Sequence, residues 1–301
     1  MSAESDSIVT TEVIPIPKIV SIDHGKVEQA RIRRAANGKD VVLDWPEDDI
    51  DRSKLPDVTI ITVTRNRRRF AALAIDNWKR IYYPDDKLTW LVVDDSPDPR
   101  KDGFLEPLKA LHDNRILYYY MSPRENGEPH NVGHKRNVAM GLVKSSVVAF
   151  MDDDDYLYDE SILSRVLCLH YYDKQAVYCA EIGVYNVPHE NSYFLEGYAD
   201  VPEGSLMCTK QFWERQKFGD EMQGEGRQLV SGQELHMIKI PSCFNMVVLN
   251  HGKNLTGSGR SIRFAMDRKM KEKAAVLAPI NFWKEVFPSS FKDTVTRSQK
   301  N

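Results

Sequence analysis

The chain has 301 residues, 42% of them hydrophobic and 28% charged, and 41 lysines and arginines against 44 aspartates and glutamates leave a formal net charge of −3. That is the composition of a globular protein long enough for one large α/β domain with extensions or for two smaller domains. It excludes a mini-scaffold held by disulfides or metal, and without a basic excess nucleic acid is not the expected partner.

Residues 1 to about 55 mix Pro15, Pro17 and Pro46 with acidic clusters and one basic helix candidate, Lys26 to Ala36, and read as an N-terminal arm or surface wrap. Val58 to Thr64 is rich in β-branched residues and follows Pro56, which predicts a buried strand. Phe70, Leu73, Ala74 and Trp78 recur near the 3.6-residue period, so a helix is expected from about Arg67 to Ile81, closed by Pro84. The next strand, Leu88 to Val93, runs into Asp94-Asp95-Ser96-Pro97-Asp98, a polar turn. A short helix (Leu105 to Leu111), an aromatic strand (Ile116 to Met121), a loop (122–132) and a helix from Gly133 to Val143 follow. Val147 to Met151 is an apolar strand that ends in four aspartates, Asp152 to Asp155. Beyond it the pattern predicts a helix from Glu160 to Tyr172, a strand from Ala176 to Val187, a segment of mixed character and a strand from Met246 to Asn250. A basic helix candidate, Arg263 to Ala275, precedes a polar tail.

Strands alternating with helices imply crossovers and a mainly parallel sheet, the α/β class. Ligands of such sheets sit beyond the carboxyl ends of the strands. Three strand ends here are polar: Thr64-Arg65-Asn66, Asp94-Asp95 and Asp152 to Asp155. Clustered carboxylates repel one another unless a cation neutralises them, and hard oxygen ligands select Mg²⁺ or Mn²⁺. A solvated acidic turn is the alternative, and the position directly after an apolar strand favours the metal. Other readings stay open in the same way. Asp94 and Asp95 suit an Asx turn as well as a ligand, and Arg65 to Arg69 suit a solvated helix start. Lys135 and Arg136 can meet phosphate oxygens or pair with the aspartates. His130 and His134 read as loop or surface histidines.

Three stretches together resemble the nucleotide-sugar glycosyltransferases of the GT-A, Rossmann-like fold, in particular the inverting family 2. They are Val58 to Ile75, Trp90 to Ser96, and Gly133 to Asp155 with its Arg136-Asn137 pair, Gly141-Leu142 and the D-x-D element. The resemblance implies that Thr64 and Arg65 line the nucleotide, with Arg65 standing where an aromatic is frequent. It further implies that Asp95 accepts a hydrogen bond from a uracil-like base, that Asp153 reaches the ribose, and that Asp152 and Asp154 frame a metal on the diphosphate. Arg136 is then a phosphate contact.

In the second half, Gly204 to Cys208, Gln211 to Glu214 and Phe218-Gly219-Asp220 resemble the acceptor side of the same family. They lead to Gly224-Glu225-Gly226-Arg227, where many members have Gly-Glu-Asp, so the implied catalytic base is Glu225 with Gly226 in place of the Asp. Glu234 competes for that role. His251, at the end of the last strand, resembles a late metal or diphosphate contact. Gly252, Gly257 and Gly259 make a lid expected in the following loop, with Lys253 or Arg260 as a clamp.

The expected protein is therefore a metal-dependent (Mn²⁺ or Mg²⁺), inverting glycosyltransferase using a UDP-sugar and a hydroxyl acceptor on a glycan, glycoprotein or other molecule. Its expected domains are a GT-A unit over 56–260, divided at about 155 into a nucleotide half and an acceptor half, with extensions 1–55 and 261–301. A catalytically inactive glycan- or protein-binding module is one alternative. A sugar-phosphate nucleotidyltransferase is another, disfavoured because Thr64-Arg65-Asn66-Arg67 lacks the glycines its phosphate loop needs. Cys168, Cys179, Cys208 and Cys243 form no C-x-x-C pair and read as buried free thiols. The stretch Met1 to Glu12 is unlike a signal peptide, and no apolar run reaches about 18 residues, so a cytoplasmic protein without a membrane span is expected. The triplet Asn254-Leu255-Thr256 is read as coincidence.

Overall fold

In the computed structural model, residues 52–179, 181–187, 191–196, 201–222 and 224–251 are described, with positions 254, 291, 294 and 295 and the backbone of three short strands nearer the start. Those strands are β1 (Ile16–Pro17), β2 (Ile32–Arg34) and β3 (Asp40–Asp44), in the order β1-β3-β2. β2 runs antiparallel to β3 with Arg34 opposite Asp40, so Ile32–Arg34 is strand where the sequence predicts helix, and the remainder of Lys26 to Ala36 lies outside the described residues. A short isolated helix is marginal in water, and backbone pairing with a neighbouring strand outweighs it.

The main body follows in the order β4 (Val58–Thr64), α1 (Ala71–Arg80), β5 (Leu88–Asp94), α2 (Leu105–Lys109), β6 (Ile116–Tyr120), α3 (Val132–Leu142) and β7 (Val147–Phe150). It continues with β8 (Tyr156–Leu157), α4 (Ser161–Tyr171), β9 (Ala176–Cys179), β10 (Glu181–Asn186), β11 (Asn191–Glu196), β12 (Met207–Thr209) and α5 (Lys210–Arg215). It closes with α6 (Gly226–Val230), β13 (Met237–Ile240) and β14 (Met246–Asn250). Seven strands form the central sheet, ordered β13-β9-β12-β7-β4-β5-β6, and every neighbouring pair is parallel except the two made by β12.

Parallel strands joined by helices are covered on both faces, which explains why β4 has no polar stripe. Ile60, Trp90 and Ala149 point to one face, where Phe70, Leu73, Trp78, Ile162 and Val166 pack. Ile61, Leu91 and Phe150 point to the other, against Ala139, Met140, Phe212 and Leu229. Successive residues of one strand thus serve two cores, as the alternation of side chains requires.

The single strand expected over Ala176 to Val187 is instead two. β9 stays in the central sheet between β12 and β13, while β10 joins a second sheet ordered β11-β10-β14-β8. No proline or turn cluster separates the two pieces, and β9 and β10 part because each pairs with a different set of partner strands. β11, β12 and β13 lie in the segment the sequence left mixed. Helix α1 also starts later than expected, because Arg68–Phe70 form a 3-10 turn ahead of it. Among the described residues no helix is long and apolar enough to cross a membrane. The helix candidate Arg263 to Ala275 and the lid residues Gly252, Lys253, Gly257, Gly259 and Arg260 lie outside the described residues.

Candidate active site

Register brings the three polar strand ends together. Thr64 is paired with Asp94 across β4 and β5, and Ile61 with Phe150 across β4 and β7. Continuing both strands past the last of these pairs sets Thr64 beside Asp153, and the Thr64 hydroxyl donates to Asp153 Oδ2 at 2.6 Å. The chain then turns at Asn66, whose φ of 52° is left-handed, a conformation asparagine tolerates better than most residues. The Asn66 N–H donates to Ser96 Oγ at 2.8 Å, fastening the first strand end to the second.

Asp94 and Asp95 are both fully buried and have different partners. Asp94 Oδ1 accepts from the Ser96 N–H at 2.8 Å, the Asx turn anticipated from sequence, and its Oδ2 accepts from the Phe104 N–H at 3.0 Å and the Tyr118 hydroxyl at 2.8 Å. Asp95 is held mainly by charge. Lys135 Nζ lies 2.9 Å from Oδ1 and Arg65 Nη1 3.3 Å from Oδ2, and the His130 N–H donates to Oδ2 at 2.9 Å. Lys135, itself buried, also donates to the Thr64 carbonyl at 3.2 Å.

The aspartate run is no solvated turn. Only Asp152 opens to solvent, its side chain 36% exposed against 4% for Asp153 and 12% for Asp154. Asp155 Oδ1 accepts from the Leu249 N–H at 3.0 Å, tying the run to β14. Burial, with Asp154 and Asp152 alongside, pushes the Asp155 carboxyl well above the usual carboxylate range. Burial likewise lifts Asp153 to about 7 against the pull of Arg67. For Asp154 burial acts in the same sense, but Arg67 and His251 outweigh it and hold the carboxyl below its ordinary value. His251 Nε2 sits 2.9 Å from Asp154 Oδ2, so the end of β14 does deliver its imidazole to the run.

Arg136 reaches across the crevice from α3. Its Nη2 donates to Asp152 Oδ1 at 3.2 Å and its Nε lies 3.0 Å from Glu225 Oε1. The guanidinium is buried, which alone would lower its pKa, but Asp152, Glu225 and Glu203 outweigh this and raise it. The approach of α3 needs Gly133, where a Cβ would lie 1.7 Å from the Gly219 carbonyl oxygen and 2.9 Å from Glu225 Cβ. Gly226 is explained similarly. A Cβ there would lie 2.9 Å from Glu203 Oε1, because that carboxylate accepts the Gly226 N–H at 2.9 Å. Burial pushes the Glu203 carboxyl up to about 7, Glu225 adding to the rise and Arg136 opposing it. Glu234 is exposed and bonds back to the Gly232 N–H at 3.1 Å in its own turn, away from this network.

Of the residues singled out in the sequence, Thr64, Arg65, Asp95, Asp153, Asp154 and His251 thus share one set of contacts, and Arg136, Asp152 and Glu225 a second, the two being adjacent along the chain at Asp152-Asp153 and Lys135-Arg136. Lys135 and Arg136 take the pairing with aspartates that the sequence held open. Two members had no assigned task. Glu203 carries no motif, whereas Arg67 stood within a basic run and is sequestered by Asp153 and Asp154. The acid run itself was the signal for such a cation. Outside the crevice, Cys168, Cys179 and Cys208 are buried free thiols whose pKa burial raises to about 12. Asn254 spends its amide on the His251 N–H at 3.1 Å and the Leu249 carbonyl at 3.0 Å.

Among the described residues no three His, Cys, Asp or Glu side chains converge to cage an ion unaided. The donor set nonetheless fits a divalent cation, since Mg²⁺ is commonly held by one or two carboxylates with substrate phosphates completing its shell. Asp154 and His251 already meet, and Asp152 offers the open side.

A family model described as Glycosyl transferase family 2 matches residues 59–226. Among solved structures, the mannosyltransferase PcManGT from Pyrobaculum calidifontis, in complex with GDP-Man and Mn²⁺, is similar over 83% of this chain and 70% of its own, at 18% identity and a TM-score of 0.51. S. aureus TarS 1-349 in complex with UDP-GlcNAc is similar over 81% of this chain and 72% of its own, at 12% identity and a TM-score of 0.48. Among curated proteins none matches the chain. The likeness to the mannosyltransferase is one of fold, a mostly parallel sheet with flanking helices of the GT-A, Rossmann-like kind, as the sequence led us to expect.

Proposed function

The chain belongs to glycosyl transferase family 2 and is a glycosyltransferase, and from that premise we propose that it moves a sugar from UDP to an acceptor hydroxyl with inversion, in a reaction that needs a divalent cation. Thr64 and Arg65 flank the nucleoside, Asp95 accepts from the uracil N–H, and Asp153 meets the ribose. Asp152, Asp154 and His251 hold the cation, with Arg136 as the neighbouring phosphate contact. When bound, that cation supplies Lewis-acid stabilisation of the departing diphosphate. Glu225 takes the acceptor proton as the acceptor oxygen bonds to the anomeric carbon and the bond to the diphosphate breaks on the opposite side.

The observation that supports this reading most is the span of Arg136. One buried guanidinium touches both Asp152, in the run assigned to the donor, and Glu225, assigned to the acceptor. Donor and acceptor chemistry are thereby held in one frame by a rigid planar fork.

Incubation with Mn²⁺ and a panel of UDP- and GDP-sugars, reading free nucleoside diphosphate, tests the proposal. Release from a UDP-sugar, abolished by EDTA, is expected. Release from GDP-sugars alone would overturn the donor assignment, and binding of every donor without release would point to the inactive module.

A further inference from the structure

Arg67, like Arg136, contacts two carboxylates of the crevice. Its Nε lies 2.8 Å from Asp153 Oδ1, and its Nη2 contacts Asp154 Oδ2, the same oxygen that His251 Nε2 approaches at 2.9 Å. The guanidinium carbon stands 4.7 Å from the centre of the Phe70 ring, whose own centre is 4.6 Å from that of the His251 ring. Arginine and imidazole therefore reach one carboxylate oxygen from beside one aromatic ring. The Nε–H, although buried and close to Asp153, is not aligned for a hydrogen bond. The hold on Asp153 is therefore one of charge, without a locked bidentate fork.

We propose that Arg67 is the resident counter-ion of the aspartate run, giving up Asp154 to the divalent cation when the donor enters and turning its guanidinium to the donor diphosphate. The inference rests on the metal and donor assignments proposed above. A divalent cation and a guanidinium on one oxygen repel each other at short range in a poorly solvated site. Cation and diphosphate bring new charge of both signs, so the displaced guanidinium gains a planar bidentate partner as it loses the carboxylates. Arg67 is also suitably mounted. It precedes the 3-10 turn with backbone φ −122° and ψ 26°, outside any helix, so its side chain can be re-aimed without unwinding α1.

The test measures Mn²⁺ binding to the full chain by calorimetry without nucleotide, and then UDP binding at saturating Mn²⁺, for wild type, Arg67→Gln and Arg67→Lys. Arg67→Gln is expected to bind Mn²⁺ roughly tenfold tighter and UDP roughly tenfold more weakly, the scale of one charge-assisted contact. Opposite signs separate the exchange from structural damage, which weakens both. Arg67→Lys keeps the charge without the fork, should shift both affinities less and in the same senses, and decides the matter if Arg67→Gln does not fold. Mn²⁺ affinity unchanged or weakened in the variants, with UDP binding still metal-dependent, overturns the exchange and leaves the proposed function standing. No Mn²⁺ binding to any of the three proteins, with or without UDP, removes the metal assignment and the exchange with it.

Discussion

The acidic run after β5 and the acidic run after β7 each contain an aspartate that builds the fold and others that face the crevice. Asp94 is held by the Ser96 and Phe104 N–H groups and the Tyr118 hydroxyl, and Asp155 by the Leu249 N–H. Asp95, Asp152 and Asp154 are held chiefly by Lys135, Arg65, Arg136, Arg67 and His251, with one backbone N–H, that of His130, on Asp95. A backbone N–H fixed by the fold cannot leave its acceptor, whereas a cationic side chain can be re-aimed when a ligand offers it a better partner. The balance of partners, cationic side chains against backbone N–H groups, therefore distinguishes Asp95 from Asp94, which burial does not, since the two are equally buried.

The largest expected effect tests the crevice side of this division at its far end. Glu225→Gln should lower transfer by about 10²–10⁴-fold, the range for removing a general base, while UDP affinity stays near wild type. Full turnover in Glu225→Gln together with a dead Glu234→Gln would move the base out of the Arg136 network. On the fold side, Asp94→Ala strands two backbone N–H groups and a tyrosine hydroxyl, and a loss of about 3–5 kcal/mol in urea denaturation is expected. A midpoint near that of wild type would break the division at its clearest point. Asp95→Ala should behave differently, weakening UDP binding by about 1–3 kcal/mol with the cooperative fold retained. An unchanged dissociation constant would return Asp95 to the structural class.

The smallest effect concerns Glu203, whose folded-state carboxyl is raised to about 7 from the 4.5 of an unperturbed glutamate. Between these values the folded protein binds the extra proton, so this residue's contribution to stability is fully present below about 4.5 and is lost as pH rises through about 7. Glu203→Gln should remove that loss, so its stability falls less than that of wild type between pH 5 and 8, as followed by urea midpoints. Parallel pH curves for the two proteins would show that Glu203 is not titrating there.

Much of the nucleotide half was legible because its signals are local. Val58 to Thr64 forms the strand its β-branched residues predict, and the acidic strand ends fall where an apolar run stops. The second half was less so for a physical reason. Ala176 to Val187 carries one continuous strand signal, yet it feeds two sheets whose pairing depends on β12, β13 and β14, far away in sequence. Glu203 escaped notice likewise. It stands one residue before the Gly204 to Cys208 stretch that resembles the family, and it matters because folding sets its carboxylate at the Gly226 N–H. Arg67 lay in plain view within Arg65-Asn66-Arg67-Arg68-Arg69, and composition alone does not say which of several arginines the aspartates will take.

Whether the aspartates after β7 hold the donor diphosphate through a cation, as we propose, is tested most directly by calorimetric titration of UDP with saturating Mn²⁺ and again with EDTA. UDP binding that is strong with Mn²⁺ and lost or much weakened in EDTA, with the difference erased in an Asp152→Asn, Asp154→Asn double variant, is the predicted result. Equal affinity for UDP with Mn²⁺ and with EDTA in the wild-type protein would contradict it.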